Sequence, residues 1–126
     1  HASIPLHLPL SDLVNGRVRG EEGGLTVVDC PLGAIACQRR DFPAGGEATL
    51  CIRPEFIHVA RGDAPAGRNV VNGRIETLVF VGEHYETEIR VGEELLLARV
   101  DADANIAVGD AVSFSLDPAH CLLVAA

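Results

Sequence analysis

The stretch EATLCIR at residues 47–53 alternates between side chains of opposite character. Ala48, Leu50 and Ile52 fall on one face of an extended chain, and polar residues take most of the other face. Successive side chains of a β-strand point to opposite sides of the sheet, so this period of two is typical of a strand with one buried face. The stretch therefore predicts a half-buried strand that ends at Pro54, because proline cannot donate a hydrogen bond to a neighbouring strand.

The same alternation extends over most of the chain. Apolar residues rarely recur at the spacing of a helix, and pairs such as Gly23-Gly24 and Gly45-Gly46 separate the runs. Further strands are predicted at Leu25–Cys30, Ile35–Gln38, Ile75–Val81, Tyr85–Val91, Glu94–Val100, Val112–Leu116 and Leu122–Val124. About eight or nine short strands in 126 residues predict an all-β barrel or sandwich.

The chain contains an internal repeat. Asn15–Val18, with the sequence NGRV, returns 57 residues later as NGRI at Asn72–Ile75. Further along each half, a glycine, an acidic residue and an alanine open a strand, at Gly46–Ala48 and again 63 residues later at Gly109–Ala111. Two matches in the same order predict two related half-barrels, with an insertion of six residues in a hairpin of the second half.

The repeat also predicts the domain organisation. We expect the first half at residues 13–60 and the second half at residues 69–126. A connector at residues 61–68, which contains glycine and proline, would join them. Residues 1–12 would form an N-terminal arm or the remnant of a linker.

The charged residues exclude several functions. The formal net charge is −8, and the ten lysine and arginine positions are all arginine. A P-loop needs a lysine at the nucleotide phosphates, and Schiff-base chemistry needs a lysine amine. This chain therefore contains no P-loop and cannot form a Schiff base. A negative net charge repels the phosphates of nucleic acids, and the chain has only five aromatic residues that could stack on bases. We therefore expect no nucleic-acid partner.

The start of the chain and its cysteines bear on the setting of the protein. The chain lacks methionine and begins with His1, so we expect a fragment of a longer protein. Its first residues lack the pattern of a signal peptide, and no apolar run reaches the roughly 18 residues of a membrane span. The four cysteines form no Cys-x-x-Cys pair and are expected as reduced thiols, which favours the cytoplasm.

One group of side chains could in principle bind a metal. His84, Glu86 and Glu88 would share a face of one strand, where a zinc or hard-ion site is geometrically conceivable. Three ligands on one flat strand rarely surround an ion, so a solvated surface is the preferred interpretation. We expect no metal site.

Two pairs place a thiol near an imidazole. They are Cys51 with His58 and His120 with Cys121. Neighbours on a strand point to opposite faces, and no pair of acids can be recognised from its spacing as a general acid and base. We therefore expect no enzyme activity and no cofactor.

Four motifs occur in an order that resembles a known domain family. Residues 52–57 contain Arg-Pro-Glu, and NGRIE, FVG and GDAV follow at residues 72–76, 80–82 and 109–112. Together they resemble the transport-associated OB domain, or TOBE domain, in the form found at the C-terminal end of ATPase subunits of ABC importers. The resemblance covers nearly all of residues 13–124. It implies an OB-like β-barrel built from two related half-repeats.

The resemblance implies a role in transport regulation. The chain would be the non-catalytic regulatory and dimerisation domain of an ATP-binding subunit that serves import of polyamines, iron or sugars, and would bind no ATP itself. Its partners would be a second copy of the subunit, the ATPase domain of the parent chain and, indirectly, the membrane subunits at the cytoplasmic side of the inner membrane. Candidate dimer surfaces lie near Leu95–Leu97 and Leu122–Val124. The motif residues are Arg53, Pro54, Glu55, Asn72, Gly73 and Gly82.

A neighbouring form of the family binds oxyanions such as molybdate and tungstate. Arg68 and Asn69 are similar to the Arg-Asn start of that form, and an arginine fork with backbone amides can hold a tetrahedral anion. The same two residues also suit an exposed turn. The serine- and threonine-rich anion loop of that form has no counterpart here, where Asp101 and Asp103 would repel an anion. Small-oxyanion binding at Arg68 and Asn69 is the alternative function.

Overall fold

Most of the described part of the chain folds into strands. The computed structural model describes residues 11–61 and 67–126, so most of the predicted arm and the middle of the predicted connector lie outside the described residues. Two short 3₁₀ helices, Pro54–Phe56 and Pro118–His120, interrupt the strands. The strands are β1 (Asp12–Glu22), β2 (Leu25–Cys30), β3 (Gly33–Cys37), β4 (Glu47–Ile52), β5 (Ile57–Arg61), β6 (Val70–Phe80), β7 (His84–Val91), β8 (Glu94–Asp101), β9 (Ala111–Leu116) and β10 (Cys121–Ala125).

The strands form two five-stranded antiparallel sheets that exchange their last strands. The first sheet has the order β10-β4-β1-β2-β3, and the second has the order β5-β9-β6-β7-β8. Each sheet curls until its edges meet: Gln38, just after β3, donates its backbone N–H to the carbonyl of Cys121 on β10 at 3.0 Å, and β5 lies beside β8. The all-β prediction is confirmed. The exchange of β5 and β10 was not predicted, and it makes each barrel depend on a strand from the other half.

The two halves repeat the same side-chain contacts. The guanidinium Nη1 of Arg17 donates to the carbonyl of Gly45 at 2.7 Å, and Nη1 of Arg74 donates to the carbonyl of Gly109 at 2.6 Å. Gly109 therefore corresponds to Gly45, and the predicted correspondence with Gly46 is wrong by one residue. The offset grows from 57 residues at β1 and β6 to 64 at β4 and β9. The second half thus carries an insertion of seven residues, four of them in the hairpin between β6 and β7.

Gly16 and Gly73 lie where two strands approach most closely. A Cβ atom on Gly73 would lie 2.6 Å from Cγ2 of Ile89 and 2.9 Å from the carbonyl oxygen of Arg90. A Cβ atom on Gly16 would lie 2.7 Å from Cγ2 of Val28. All three distances are shorter than van der Waals contact, so the Asn-Gly-Arg motif needs glycine for packing.

We expect Gly73→Ala to lower the free energy of unfolding by about 1–3 kcal/mol, because the added methyl group overpacks the interior. Gly16→Ala should have a similar effect in the first barrel. Val70→Ala, at an exposed position of the same strand, is the control and should change stability by less than about 0.5 kcal/mol. Urea denaturation curves measure all three, and an unchanged midpoint for Gly73→Ala would contradict the packing argument.

The core is continuous through both barrels. Leu50, Ile52 and Leu123 of the first sheet and Ile75, Phe114 and Leu116 of the second are each at most 1% exposed and belong to one apolar cluster. The inward positions of β4 are the ones that the alternating pattern predicted, and Thr87 and Ile89 follow it in β7. In β9 the pattern holds for the apolar residues, but Ser113 is buried as well. Among the residues described, no helix has the length and apolar character needed to cross a membrane.

Candidate functional site at the crossover between the barrels

The Arg-Pro-Glu segment is the crossover between the two sheets. Strand β4 ends at Ile52 in the first sheet, and β5 begins at Ile57 in the second. Pro54 is buried in the first turn of the short 3₁₀ helix between them, so β4 ends here as the sequence predicted. The equivalent crossover from β9 to β10 contains Pro118 at the same place, and the side chain of Asp117 accepts the N–H of Ala119 at 2.9 Å.

The charges of this crossover lie at the surface. Nη1 of Arg53 and Oε2 of Glu55 are 3.9 Å apart, and their side chains are 51% and 35% exposed. An exposed ion pair of this kind stabilises a protein by about 0–1 kcal/mol. Glu55 faces the second barrel, where it lines a pocket of about 510 Å³ with Arg99 and Asp101. The motif therefore acts by guiding the backbone, and its ion pair contributes little to stability.

The two crossovers touch through an aromatic stack. The rings of Phe56 and His120 are parallel within 2°, with centroids 3.7 Å apart. The two residues are 64 positions apart, which is the offset of this part of the repeat, so their contact lies on the pseudo-twofold axis that relates the halves. This pair was not predicted from the sequence. The signal was available in the recurrence of Pro54 as Pro118.

A second pocket opens beside this stack. Its volume is about 390 Å³, within the range of about 300–1,000 Å³ that is usual for ligand pockets. Nε2 of Gln38 donates to the carbonyl of Ala119 at 2.6 Å and closes one side. Its walls combine apolar groups with two groups that carry or can carry positive charge. The lining residues are Gln38, Cys51, Arg53, Phe56, Ala119, His120 and Leu122.

The other residues of the predicted motif lie elsewhere. Asn72 accepts a hydrogen bond from Oγ of Ser113 at 2.7 Å, Gly73 lies under β7, and Gly82 has a φ of 105° in the turn between β6 and β7. None of the three lines either pocket. Arg53, Pro54 and Glu55 thus lie together at the crossover, whereas Asn72, Gly73 and Gly82 lie away from it.

Asn69 holds the two barrels together. Its side-chain amide donates to the carbonyls of Ala36 and Leu116, and its carbonyl accepts the N–H of Ala36, all at 2.8 Å. Its φ of 59° is in the left-handed region, which asparagine tolerates better than most residues. The amide is therefore engaged within the protein, while Arg68, its partner in the predicted anion site, is exposed.

Asp12 takes the equivalent place in the first half, 57 residues before Asn69. Its Oδ1 accepts the backbone N–H of Leu97, on β8 of the other barrel, at 2.8 Å. Its Oδ2 is buried and has no hydrogen-bond partner among the described residues. Burial raises the pKa of this carboxyl from 3.8 to about 6, and the hydrogen bond from Leu97 lowers it less. Asp12 was not predicted as a site residue, although the repeat, extended three residues upstream, pairs it with Asn69.

The remaining candidate groups were the possible metal ligands and the two pairs of a thiol with an imidazole. In the part of the chain that the structure describes, no three His, Cys, Asp or Glu residues are grouped to hold a metal ion. Glu88 instead accepts a hydrogen bond from Oγ1 of Thr77 at 3.0 Å. Burial raises the pKa of Cys121 to about 12, so this thiol is a poor nucleophile. The side chain of His58 lies outside the described residues.

These features agree with comparisons to known proteins. A family model of the TOBE domain matches residues 50–124, more than half of the chain, and the chain belongs to the TOBE domain family. The cytoplasmic molybdate-binding protein ModG, in a crystal form with molybdate bound, has a similar fold with a TM-score of 0.80. The two are 15% identical over 91% of this chain and 96% of that chain, so the similarity concerns the fold, and it confirms the OB-like prediction. No curated protein sequence matches the chain significantly.

Proposed function

We propose that this chain is the non-catalytic regulatory and dimerisation domain of the ATP-binding subunit of an ABC importer for polyamines, iron or sugars. The observation that carries the proposal is the Arg53–Glu55 crossover, where the sequence resembles the importer form and the backbone passes from one barrel to the other. The proposed partners are a second copy of the subunit, the ATPase domain of the same chain and, indirectly, the membrane subunits. The proposed location is the cytoplasmic side of the inner membrane.

The strand exchange explains how such a domain could transmit a signal. The two barrels share a core and are joined by two crossovers that meet in the Phe56–His120 stack. A partner that binds one barrel therefore contacts a unit whose apolar core and crossovers include residues of both halves. Transmission between subunits then depends on the surfaces that this unit presents.

The reading frame upstream of His1 tests this proposal. We expect the codons before His1 to encode a lysine-containing P-loop and the other sequence motifs of an ABC ATPase. A stop codon directly upstream, or a signal peptide, would contradict the proposal and leave a free-standing binding protein.

The alternative is a module that binds small oxyanions. The fold similarity to ModG supports it, but the side-chain amide of Asn69 already makes three hydrogen bonds within the protein. Occupying that amide with an anion would leave buried backbone groups of Ala36 without partners, at a cost of about 1–3 kcal/mol for each group.

We therefore expect calorimetric titration with molybdate and with tungstate to give no binding heat at millimolar concentrations. Sulfate serves as the control for nonspecific anion effects. Saturable heat with molybdate that Arg68→Ala removes would establish the alternative.

A further inference from the structure

The hairpin between β6 and β7 exposes three consecutive apolar side chains. Val79, Phe80 and Val81 are 57%, 53% and 46% exposed, although successive residues of a strand normally alternate between the core and solvent. The ring of Phe80 packs edge-on against Tyr85, with centroids 5.2 Å apart, which orients it at the end of the hairpin. We call residues 79–81 the apolar tip.

The apolar tip belongs to the second half alone. Four of the seven inserted residues lie in this hairpin and extend it beyond its counterpart. The counterpart, between β1 and β2, ends in Glu21, Glu22, Gly23 and Gly24 and presents no apolar side chain. The extension adds exposed apolar surface that serves neither core, and such surface marks interaction sites.

The pocket beside the Phe56–His120 stack lies on the first barrel and has apolar groups in its wall. Leu122 is 42% exposed at its wall, next to the half-buried thiol of Cys51, and Arg53 stands at its border. The repeat-equivalent positions of Cys51, Leu122 and Arg53 on the second barrel are Ser115, His58 and Asp117. Among the described residues, the apolar tip and this pocket therefore each occur where the two halves of the repeat differ in sequence.

The two features have complementary charge. Glu83 and Glu86 are exposed at the base of the apolar tip, whereas Arg53 and His120 border the pocket. Arg53 lies beside Glu55, with Nη1 and Oε2 3.9 Å apart, but its side chain is 51% exposed, so its guanidinium is accessible to a carboxylate of a second copy. The pocket volume of about 390 Å³ accommodates an aromatic side chain together with an aliphatic neighbour. Phe80 is exposed and therefore does not occupy the pocket of its own chain.

We propose that the apolar tip of one copy of this chain enters the pocket of a second copy. Phe80 would rest on the apolar wall formed by Leu122 and Phe56, and Glu83 and Glu86 would face Arg53. The proposal rests on the self-association included in the proposed function and names the surfaces that carry it. Contact between two different surfaces also makes a specific prediction, because one copy can lose its tip and another its pocket without removing every contact between them.

Sedimentation velocity of the full chain and three variants tests the proposal. Phe80→Ala removes the anchor of the tip, and Leu122→Glu places a carboxylate in the pocket wall, opposite the acidic base of the tip. Each should raise the dissociation constant of self-association at least tenfold. Val108→Glu, at a residue that is 61% exposed and lies in neither surface, is the matched control and should associate like the wild type. Circular dichroism melting verifies that all variants fold.

Mixing the two variants gives the decisive result. An equimolar mixture of Phe80→Ala and Leu122→Glu should form a one-to-one complex more tightly than either variant associates with itself, because the mixture retains one intact tip and one intact pocket. A mixture that associates no better than its components would overturn the proposal, as would a wild type that stays monomeric at millimolar concentration. Neither result would decide whether the parent protein is an ATPase subunit, because the upstream reading frame tests that separately.

Discussion

Replacing Asp12 by asparagine should stabilise this protein at neutral pH by up to about 3 kcal/mol. The repeat places the carbonyls of Ile52 and Leu97 around Asp12 in the positions that two acceptors occupy around Asn69. A carboxylate Oδ2 can only accept hydrogen bonds, so it has no favourable partner there, whereas an amide nitrogen can donate. Asp12→Asn would give the first half the interaction that Asn69 already makes in the second.

The gain should depend on pH in a defined direction. The pKa of Asp12 is about 6 in the folded protein, above the value of 3.8 expected when it is unfolded. A raised pKa favours the folded state below pH 3.8, and this contribution is lost as the pH rises through about 6. A difference of about 2 pKa units corresponds to about 3 kcal/mol. The variant should therefore exceed the wild type in stability most clearly above pH 6 and approach it near pH 4.

Urea denaturation at pH 4 and at pH 8 measures both stabilities. Asp103→Asn removes one negative charge from an exposed loop and serves as the control for the change in net charge. If Asp12→Asn and Asp103→Asn change the stability equally, or if Asp12→Asn stabilises equally at both pH values, repulsion between the buried Asp12 carboxylate and the neighbouring carbonyls is not the cause.

The strands were predictable because a strand with one buried face has alternating apolar and polar residues in its sequence. In β4 and β7 the alternation from Ala48 to Ile52 and from Tyr85 to Ile89 gave both the strand and its inward face. The pairing of the last strands was not predictable in this way. An apolar strand such as β10 carries the same pattern whichever barrel it joins, and its partner depends on the path of the backbone through Pro118 and His120.

The candidate site likewise has one part that was predictable from the sequence and another that was not. Pro54 marks the end of a strand by its chemistry alone, so the end of β4 was found in the sequence, but the passage of the next strand into the other sheet was not. Phe56 and His120 are equivalent in position but differ in chemistry, and no local pattern shows that the two rings stack. Asn69 has the residue type expected at a turn, and only the structure shows that its side chain reaches Ala36 in the other half. Contacts between equivalent positions of a repeat can be found once the offset is known, and here the offset changes at each insertion.

Replacing Asn69 by alanine should lower the free energy of unfolding by about 3 kcal/mol or more. The change leaves the buried N–H and carbonyl of Ala36 and the carbonyl of Leu116 without the partners that Asn69 supplies. Each unsatisfied buried group costs about 1–3 kcal/mol. Alanine also tolerates the left-handed φ of 59° poorly, at a cost of about 1–2 kcal/mol. Thermal and urea denaturation measure the loss.

Two further substitutions at Asn69 separate the causes. Asn69→Gly removes the same hydrogen bonds but accepts the backbone conformation, so it should be less destabilising than Asn69→Ala by about 1 kcal/mol. Asn69→Asp should reproduce in the second barrel the situation of Asp12, with a loss of stability that grows as the pH rises. The losses for alanine and glycine should be independent of pH. Equal losses for all three variants at pH 4 and pH 8 would mean that the carbonyls of Ala36 and Leu116 do not discriminate an amide from a carboxylate. Asp12→Asn would then have no reason to stabilise the first barrel.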